Sequence, residues 1–162
     1  MPHAAVSSAC AWPRSCGSRI ARAFALGVDA KSTFTYQHSE RVAAVSDAIA
    51  TEMALPGAAR VRLRRAALLH DIGKLSVPNR ILDKPGTLEA DEWTVVRKHP
   101  YFTYEILARV PLFSEFAYDA SCHHERIDGR GYHRGVPGEA LSPAARILAA
   151  AARNTALAAH TT

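Results

Sequence analysis

The stretch RAALLHDIGKL, residues 65–75, runs as an amphipathic helix and then sets an imidazole and a carboxylate side by side among leucines. Burying either group is costly unless something pairs with it. Whatever fold this chain adopts must therefore bring partners to His70 and Asp71. Neighbouring residues on a helix point about 100° apart, given 3.6 residues per turn. Both side chains reach one point only if that point lies at a helix end or edge.

The available partners are scattered. His38, His99, His123 and His124 each stand at or near an apolar helical segment or its end. A single metal takes roughly four to six ligands, and mixed imidazole and carboxylate donors suit Fe, Mn, Zn or Ni better than Mg or Ca. Two metals about 3.5–4 Å apart, bridged by one carboxylate, would use all six groups. His3, His133 and His160 stand alone and read as surface or internally satisfied histidines.

The rest of the chain reads as helices. TYQHSERVAAVSDAIATEMAL places Tyr36, Val42, Val45, Ile49 and Met53 on one face and is stopped by Pro56-Gly57. A second helix from about Ala58 carries Val61, Leu63, Ala67, Leu68 and Leu69 into the His70-Asp71 pair. SVPNRILDKPGTL, with its Pro85-Gly86 turn, predicts an irregular or one-turn connection. Thr87, Glu89, Asp91 and Glu92 suit the start of the next helix, which should end before Pro100, where another begins. FSEFAYDASCHHE predicts a further helix, RIDGRGYHRGVPGEALS a loop, and Ser142-Pro143 the capped start of a last helix. An earlier helix is expected over SRIARAFALGVDA. No period-two strand pattern or internal repeat is present, so the fold class is all-α, with about six or seven helices.

Composition bounds the partners. At 162 residues the chain is long enough for one domain with a real core. The net charge is +5, but Arg14, Arg19 and Arg22 supply three of those charges before any acid appears. The remainder is nearly balanced, which argues against a nucleic-acid polymer as partner. No apolar run reaches the roughly 18 residues of a membrane span. Cys10, Cys16 and Cys122 form no CxxC pair, which points to a reduced, cytoplasmic setting. Residues 1–19 read as a disordered or non-native extension and 20–162 as the folded unit.

HSERVA, LLHDIGKLSVPNRILDKPGTL, HPYFTYEIL, HHERIDGRGY and ARILAAAA occur in the order and spacing of the HD-GYP family, a branch of the HD metal-dependent phosphohydrolases. The chain resembles that family from about Ile20 to Leu157. The resemblance implies an HD-domain helical bundle in which His38, His70 and Asp71 hold one metal. It places His99, His123 and His124 on a second, with Asp71 bridging the two. Iron or manganese is the expected metal, two ions per chain at most.

By the same resemblance Lys74 approaches a substrate phosphate, and Lys74 and Asp71 are the catalytic positions. Asp128, Gly131 and Tyr132 of the DGRGY loop line the pocket. The implied reaction is hydrolysis of cyclic di-GMP to its linear form or further, at reduced activity, in signalling. The alternative is a degenerate module that binds metal, nucleotide or a partner protein without turnover. A diguanylate cyclase domain, a response-regulator protein and a homodimeric partner copy are the protein partners it suggests. A general phosphomonoesterase of the wider superfamily is a third reading.

Departures from the pattern are as informative. His133 follows Tyr132 where the family motif has proline, and Thr103 stands where glycine is usual. Ala152 occupies the place of a last-helix aspartate ligand, and Thr155 that of a second aspartate. A methyl group cannot bind a metal, so the first site should keep three protein ligands. Phe34 replaces the glutamate of three-metal members, so a third ion is not expected. The sequence ends at Thr162 where an Arg-Pro-Tyr-Lys-like segment would add phosphate-binding cations, and the domain reads as short at its C-terminus.

Overall fold

A computed structural model describes residues 14–31 and 37–159. Among these residues no strand occurs. The helices are α1 (Arg14–Asp29), α2 (His38–Glu52), α3 (Gly57–Leu69), α4 (Asn79–Leu82), α5 (Ala90–Val96), α6 (His99–Ala108), α7 (Ala117–Ser121) and α8 (Pro143–Ala159). Three 3-10 segments, Ile72–Ser76, Ser114–Phe116 and Gly138–Ala140, join them. Leaving aside the single turn α4, seven helices form the bundle, as the all-α expectation held.

The first helix begins at Arg14, so residues 14–19 belong to it and ordered structure starts before residue 20. Residues 1–13 lie outside the described residues, as do Phe34, Tyr36 and His160. Their expected roles are not addressed by the structure.

Helix α3 is central and packs on α1, α2, α7 and α8. Its turn Ala66–Leu69 is buried on every side, and Ala21, Ala43, Ala50, Ala120 and Ala151 line the neighbouring helices. Alanines at these contacts let helix axes approach closely, near the short end of the usual 8–10 Å. Larger side chains, Leu63, Leu107, Phe113, Phe116 and Leu148, fill the space between.

Helix ends are fixed by specific contacts. Asp29, at the end of α1, accepts the Ser39 backbone N–H at 3.2 Å and the Ser39 hydroxyl at 2.7 Å, and so caps α2 from a neighbouring helix. At the other end of α2, Ala54 takes a left-handed φ of 52° and Leu55 donates to Ala50 O at 2.9 Å, a Schellman closure without glycine. Glu89 and Glu92 form a capping box on α5. Ser142 caps α8 by accepting the Ala145 N–H at 3.0 Å.

One expected helix is divided. The stretch from Phe113 to Glu125 forms a 3-10 turn and then α7, which stops at Ser121. The His123 ring ends it by bonding the Ala120 carbonyl. His123 and His124 therefore lie beyond a helix end, not on a helix face.

Candidate metal centre

Three helices terminate at one place, and each sends a histidine into it. His70 is the C-cap of α3, and its Nδ1 donates to Ala67 O at 2.7 Å. His99 Nδ1 donates to Val96 O, the last residue of α5, at 2.7 Å. His123 Nδ1 donates to Ala120 O near the end of α7 at 2.7 Å. Each bond satisfies a carbonyl that the helix end would leave orphaned. Because a carbonyl only accepts, each Nδ1 carries its proton, and Nε2 of the neutral ring offers a lone pair inward. A backbone acceptor behind the ring is the usual support of a metal-ligating histidine.

The donor set itself tests whether a cation fits. His99 Nε2 and His123 Nε2 lie 3.0 Å apart, two lone pairs facing each other with no proton to share when both rings are neutral. A cation set against both relieves that opposition. Burial, the main cause, draws the His123 pKa down to about 3 and the His38 pKa to about 4. Burial, with His123 and His99 nearby, also lowers that of His124. These rings are neutral at physiological pH, the form that binds metals.

Asp71 stands between two clusters. His99, His123 and His124 form one and His38, His70 and Asp71 the other, with donor atoms within 4.8 Å of one another in each. The Asp71 carboxylate divides its oxygens between them. Oδ1 faces His99 Nε2 at 3.3 Å and His123 Nε2 at 3.6 Å. Oδ2 faces His70 Nε2 at 3.3 Å, His38 Nε2 at 3.8 Å and Lys74 Nζ at 2.7 Å. Burial opposes ionisation of this carboxyl, but the charges around it, the Lys74 ammonium among them, outweigh it and hold the pKa well below the usual range.

The segment carrying Asp71 is pinned at both ends. Thr103, fully buried on α6, donates its hydroxyl to His70 O at 2.8 Å and accepts the Gly73 N–H at 3.1 Å, bracketing Asp71. Gly73 is required for the same contact: a Cβ there would lie 1.9 Å from His99 O. Its role is to bring the turn against the α6 backbone. At the far end, Lys31 Nζ donates to Lys74 O at 2.8 Å, Leu75 O at 2.9 Å and Val77 O at 2.6 Å, using all three ammonium hydrogens.

The loop after α7 closes one side. Gly131 passes so close to the chain that a Cβ would lie 2.4 Å from Glu125 Cα. The Tyr132 ring stacks on His124 with centroids 4.5 Å apart and an interplanar angle of 19°. Burial raises the Tyr132 pKa to about 12. Glu125, itself buried, holds the loop by accepting the Arg134 N–H at 2.7 Å and the Val136 N–H at 3.3 Å.

Asp128, expected to line the pocket with the rest of its loop, makes its bonds within that loop. Its carboxylate bonds Arg126 at 2.7 and 3.0 Å and the Arg130 N–H at 3.0 Å, which shapes the loop and leaves the carboxylate partly exposed. Arg126 accordingly lowers its pKa.

Helix α8 packs on α2, α3 and α7, yet among the described residues it adds no donor to either cluster. Ala152 is a buried methyl in the apolar core. Thr155 bonds the Ala151 and Ala152 carbonyls of its own helix at 3.1 and 3.0 Å.

Comparison with known proteins accords with this geometry. The HD domain family model matches residues 27–162. The chain is 52% identical over 132 residues to the 3'3'-cGAMP-specific phosphodiesterase 3 of Vibrio cholerae, covering 82% of this chain and 29% of that protein. It is 40% identical over 119 residues to a cyclic di-GMP phosphodiesterase of Thermotoga maritima, covering 72% and 32% of the two lengths. With the cyclic di-GMP phosphodiesterase response regulator RpfG of Xanthomonas campestris it shares 38% identity over 136 residues, covering 83% and 35%. The chain thus spans about a third of the length of these relatives. With a family match over most of its length and its histidine and aspartate blocks gathered in one place, the chain belongs to the HD domain family of metal-dependent phosphohydrolases, in its HD-GYP branch.

Proposed function

We propose that this chain is a metal-dependent phosphodiesterase that opens a cyclic dinucleotide. The observation that carries the reading is Asp71, whose two oxygens each face a separate histidine cluster. That donor arrangement suits a pair of divalent ions. When bound, such ions supply Lewis-acid stabilisation of a phosphoryl group and a water acidified towards neutral pH. We assign two ions per chain, iron or manganese, on the strength of the imidazole-rich donor set.

The protein's own groups do the rest. Five imidazole ligands and one carboxylate would leave the centre electropositive once two divalent ions are bound, which suits a substrate carrying two phosphodiester anions. Lys74, held at Asp71 Oδ2, neutralises a non-bridging phosphate oxygen as charge grows there. Tyr132 and Gly131 wall one side of the pocket. Water adds to phosphorus, the bond to the ribose 3' oxygen breaks, and that oxygen leaves with a proton. The product is a linear dinucleotide.

The relatives named for 3'3'-cGAMP and for cyclic di-GMP make both compounds the substrates to assay. A second reading, binding without turnover, is favoured by one observation: Ala152 leaves the His38, His70 and Asp71 cluster with three residues. The response-regulator relative supports a signalling partner for either reading. The buried Cys122, its thiol pushed up to about 11 by burial, stays protonated and unreactive.

The test is direct. Protein purified without oxygen, loaded with iron or manganese, is given each cyclic dinucleotide and the linear product is quantified. Metal-dependent formation of linear product supports the enzyme. Binding of the dinucleotide without product supports the second reading. Product from simple phosphate monoesters alone would point to the phosphomonoesterase reading.

A further inference from the structure

A run of flat groups neighbours the candidate metal centre. The His124 ring lies under Tyr132 at 4.5 Å. The guanidinium carbon of Arg97 lies 5.6 Å from the Tyr132 ring centroid and 5.9 Å from that of Trp93. Tyr132 thus stacks on His124 and has the Arg97 guanidinium within cation–π distance. Arg97 is the C-cap of α5, two residues before the ligand His99, so its backbone is fixed by the same junction that sets the centre.

This guanidinium is exposed, and the acids near it on the chain are engaged elsewhere. Glu92 and Glu89 of α5 face Lys84 at 2.7 and 3.9 Å. Among the described residues no carboxylate lies within ion-pair distance of Arg97. A cation–π contact does not consume the N–H donors of a guanidinium, which stay available for a bidentate grip on a phosphate. Two aromatic neighbours limit the rotamers it would otherwise lose on binding.

Resting on the proposed function, we infer that Arg97 binds the second phosphodiester of the cyclic dinucleotide, the one not being cleaved. Lys74 and the metal ligands address one phosphate. The other lies across the macrocycle, and Arg97 lies next to Tyr132, which in turn stacks on His124. A substrate with a single phosphate has nothing to offer it. Arg97 therefore distinguishes cyclic dinucleotides from simple diesters without entering the reaction at phosphorus.

Arg97→Gln and Arg97→Lys are compared with the unaltered chain on both cyclic dinucleotides and on bis(p-nitrophenyl) phosphate, which has one phosphate. The expected result is a KM for the dinucleotides raised about 10–100-fold in Arg97→Gln, kcat little changed, and partial recovery in Arg97→Lys. Turnover of the single-phosphate diester stays within about twofold. An independent readout is the emission of Trp93 in a Trp12→Phe background, where it is the sole tryptophan. Adding a cyclic dinucleotide should change that emission in the unaltered chain, and far higher concentrations should be needed in Arg97→Gln. Equal losses on all substrates, or an unchanged KM and emission titration, would overturn the assignment. If no chain turns over any substrate, the hydrolytic reading fails, and the emission titration still decides whether Arg97 binds the dinucleotide.

Discussion

The two halves of the metal centre are built differently. The cluster of His99, His123 and His124 is all imidazole, and two of its rings are braced by carbonyls at helix ends. The cluster of His38, His70 and Asp71 has one braced ring, a His38 side chain that is still 14% exposed, and a carboxylate shared with Lys74 and the other half. Helix α8, which packs behind His38 on α2, ends its contribution in a methyl at Ala152. On the proposed function, the contrast makes the all-imidazole cluster the firmer of two metal sites. Bracing behind the ring sets ligand basicity and orientation, and losing such support costs metal affinity by about 10–100-fold.

The comparison breaks most severely at the group both halves share. Asp71→Asn should lower turnover by at least about 1000-fold and weaken both metal-binding steps, because one amide oxygen cannot serve two cations as a carboxylate does. Activity assay with metal analysis by mass spectrometry checks both effects. Retention of one ion at unaltered affinity would show that Asp71 belongs to a single cluster.

Removing one ring from each half sharpens the contrast. His123→Ala should abolish the tighter binding step, whereas His38→Ala should remove only the weaker one and leave about one ion per chain. Calorimetric titration of each variant distinguishes these results. Identical isotherms for the two would mean that the halves are equivalent.

Thr103→Val removes the hydroxyl that brackets Asp71 while keeping the side-chain volume nearly constant. Two buried groups, His70 O and Gly73 N–H, lose their partner, at a cost of about 1–3 kcal/mol in stability. Metal affinity should fall about tenfold. Thr103→Ser should recover both, as read by denaturant melts and metal titration, and failure of serine to recover affinity would assign Thr103 to packing alone.

Acid offers a milder probe of the metal-free chain. His38 and His123 bind protons more weakly folded, at about 4 and about 3, than at their ordinary 6.5 when unfolded. Their contribution is therefore complete above pH 6.5 and is lost as pH falls from 6.5 towards 3. Asp71, depressed below its ordinary 3.8, adds a further loss only below that value. The thermal midpoint should drop between about pH 7 and pH 5, and His38→Gln should flatten the upper part of that fall. A midpoint constant over this interval would mean that the rings are not held neutral by burial.

Much of this arrangement was legible in the sequence where local rules decide. The His70-Asp71 and His123-His124 doublets require a helix end, and both lie at one. Pro100 marked the break between α5 and α6, Ser142-Pro143 the start of α8, and SVPNRILDKPGTL its single turn. Contacts across the fold were not legible. Thr103 stood out only as a departure from glycine, and its bonds to a turn about 30 residues away follow from how α6 packs. Lys31 and Asp29 act on segments that approach them only in the assembled bundle. Asp128 was expected to line the pocket with the rest of its loop, and its bond to Arg126, two residues earlier, was not foreseen. Arg97 gave no signal, since its aromatic neighbours come from α5 and from the loop after α7.

The most direct test of two unequal halves joined by one carboxylate is a metal titration of the unaltered chain beside Ala152→Asp, starting metal-free under nitrogen. The account predicts two successive binding steps in the unaltered chain, the second weaker, and a selective tightening of that second step by about 10–100-fold in Ala152→Asp. A single step of less than one ion per chain, or a tightening of the first step instead, would contradict it.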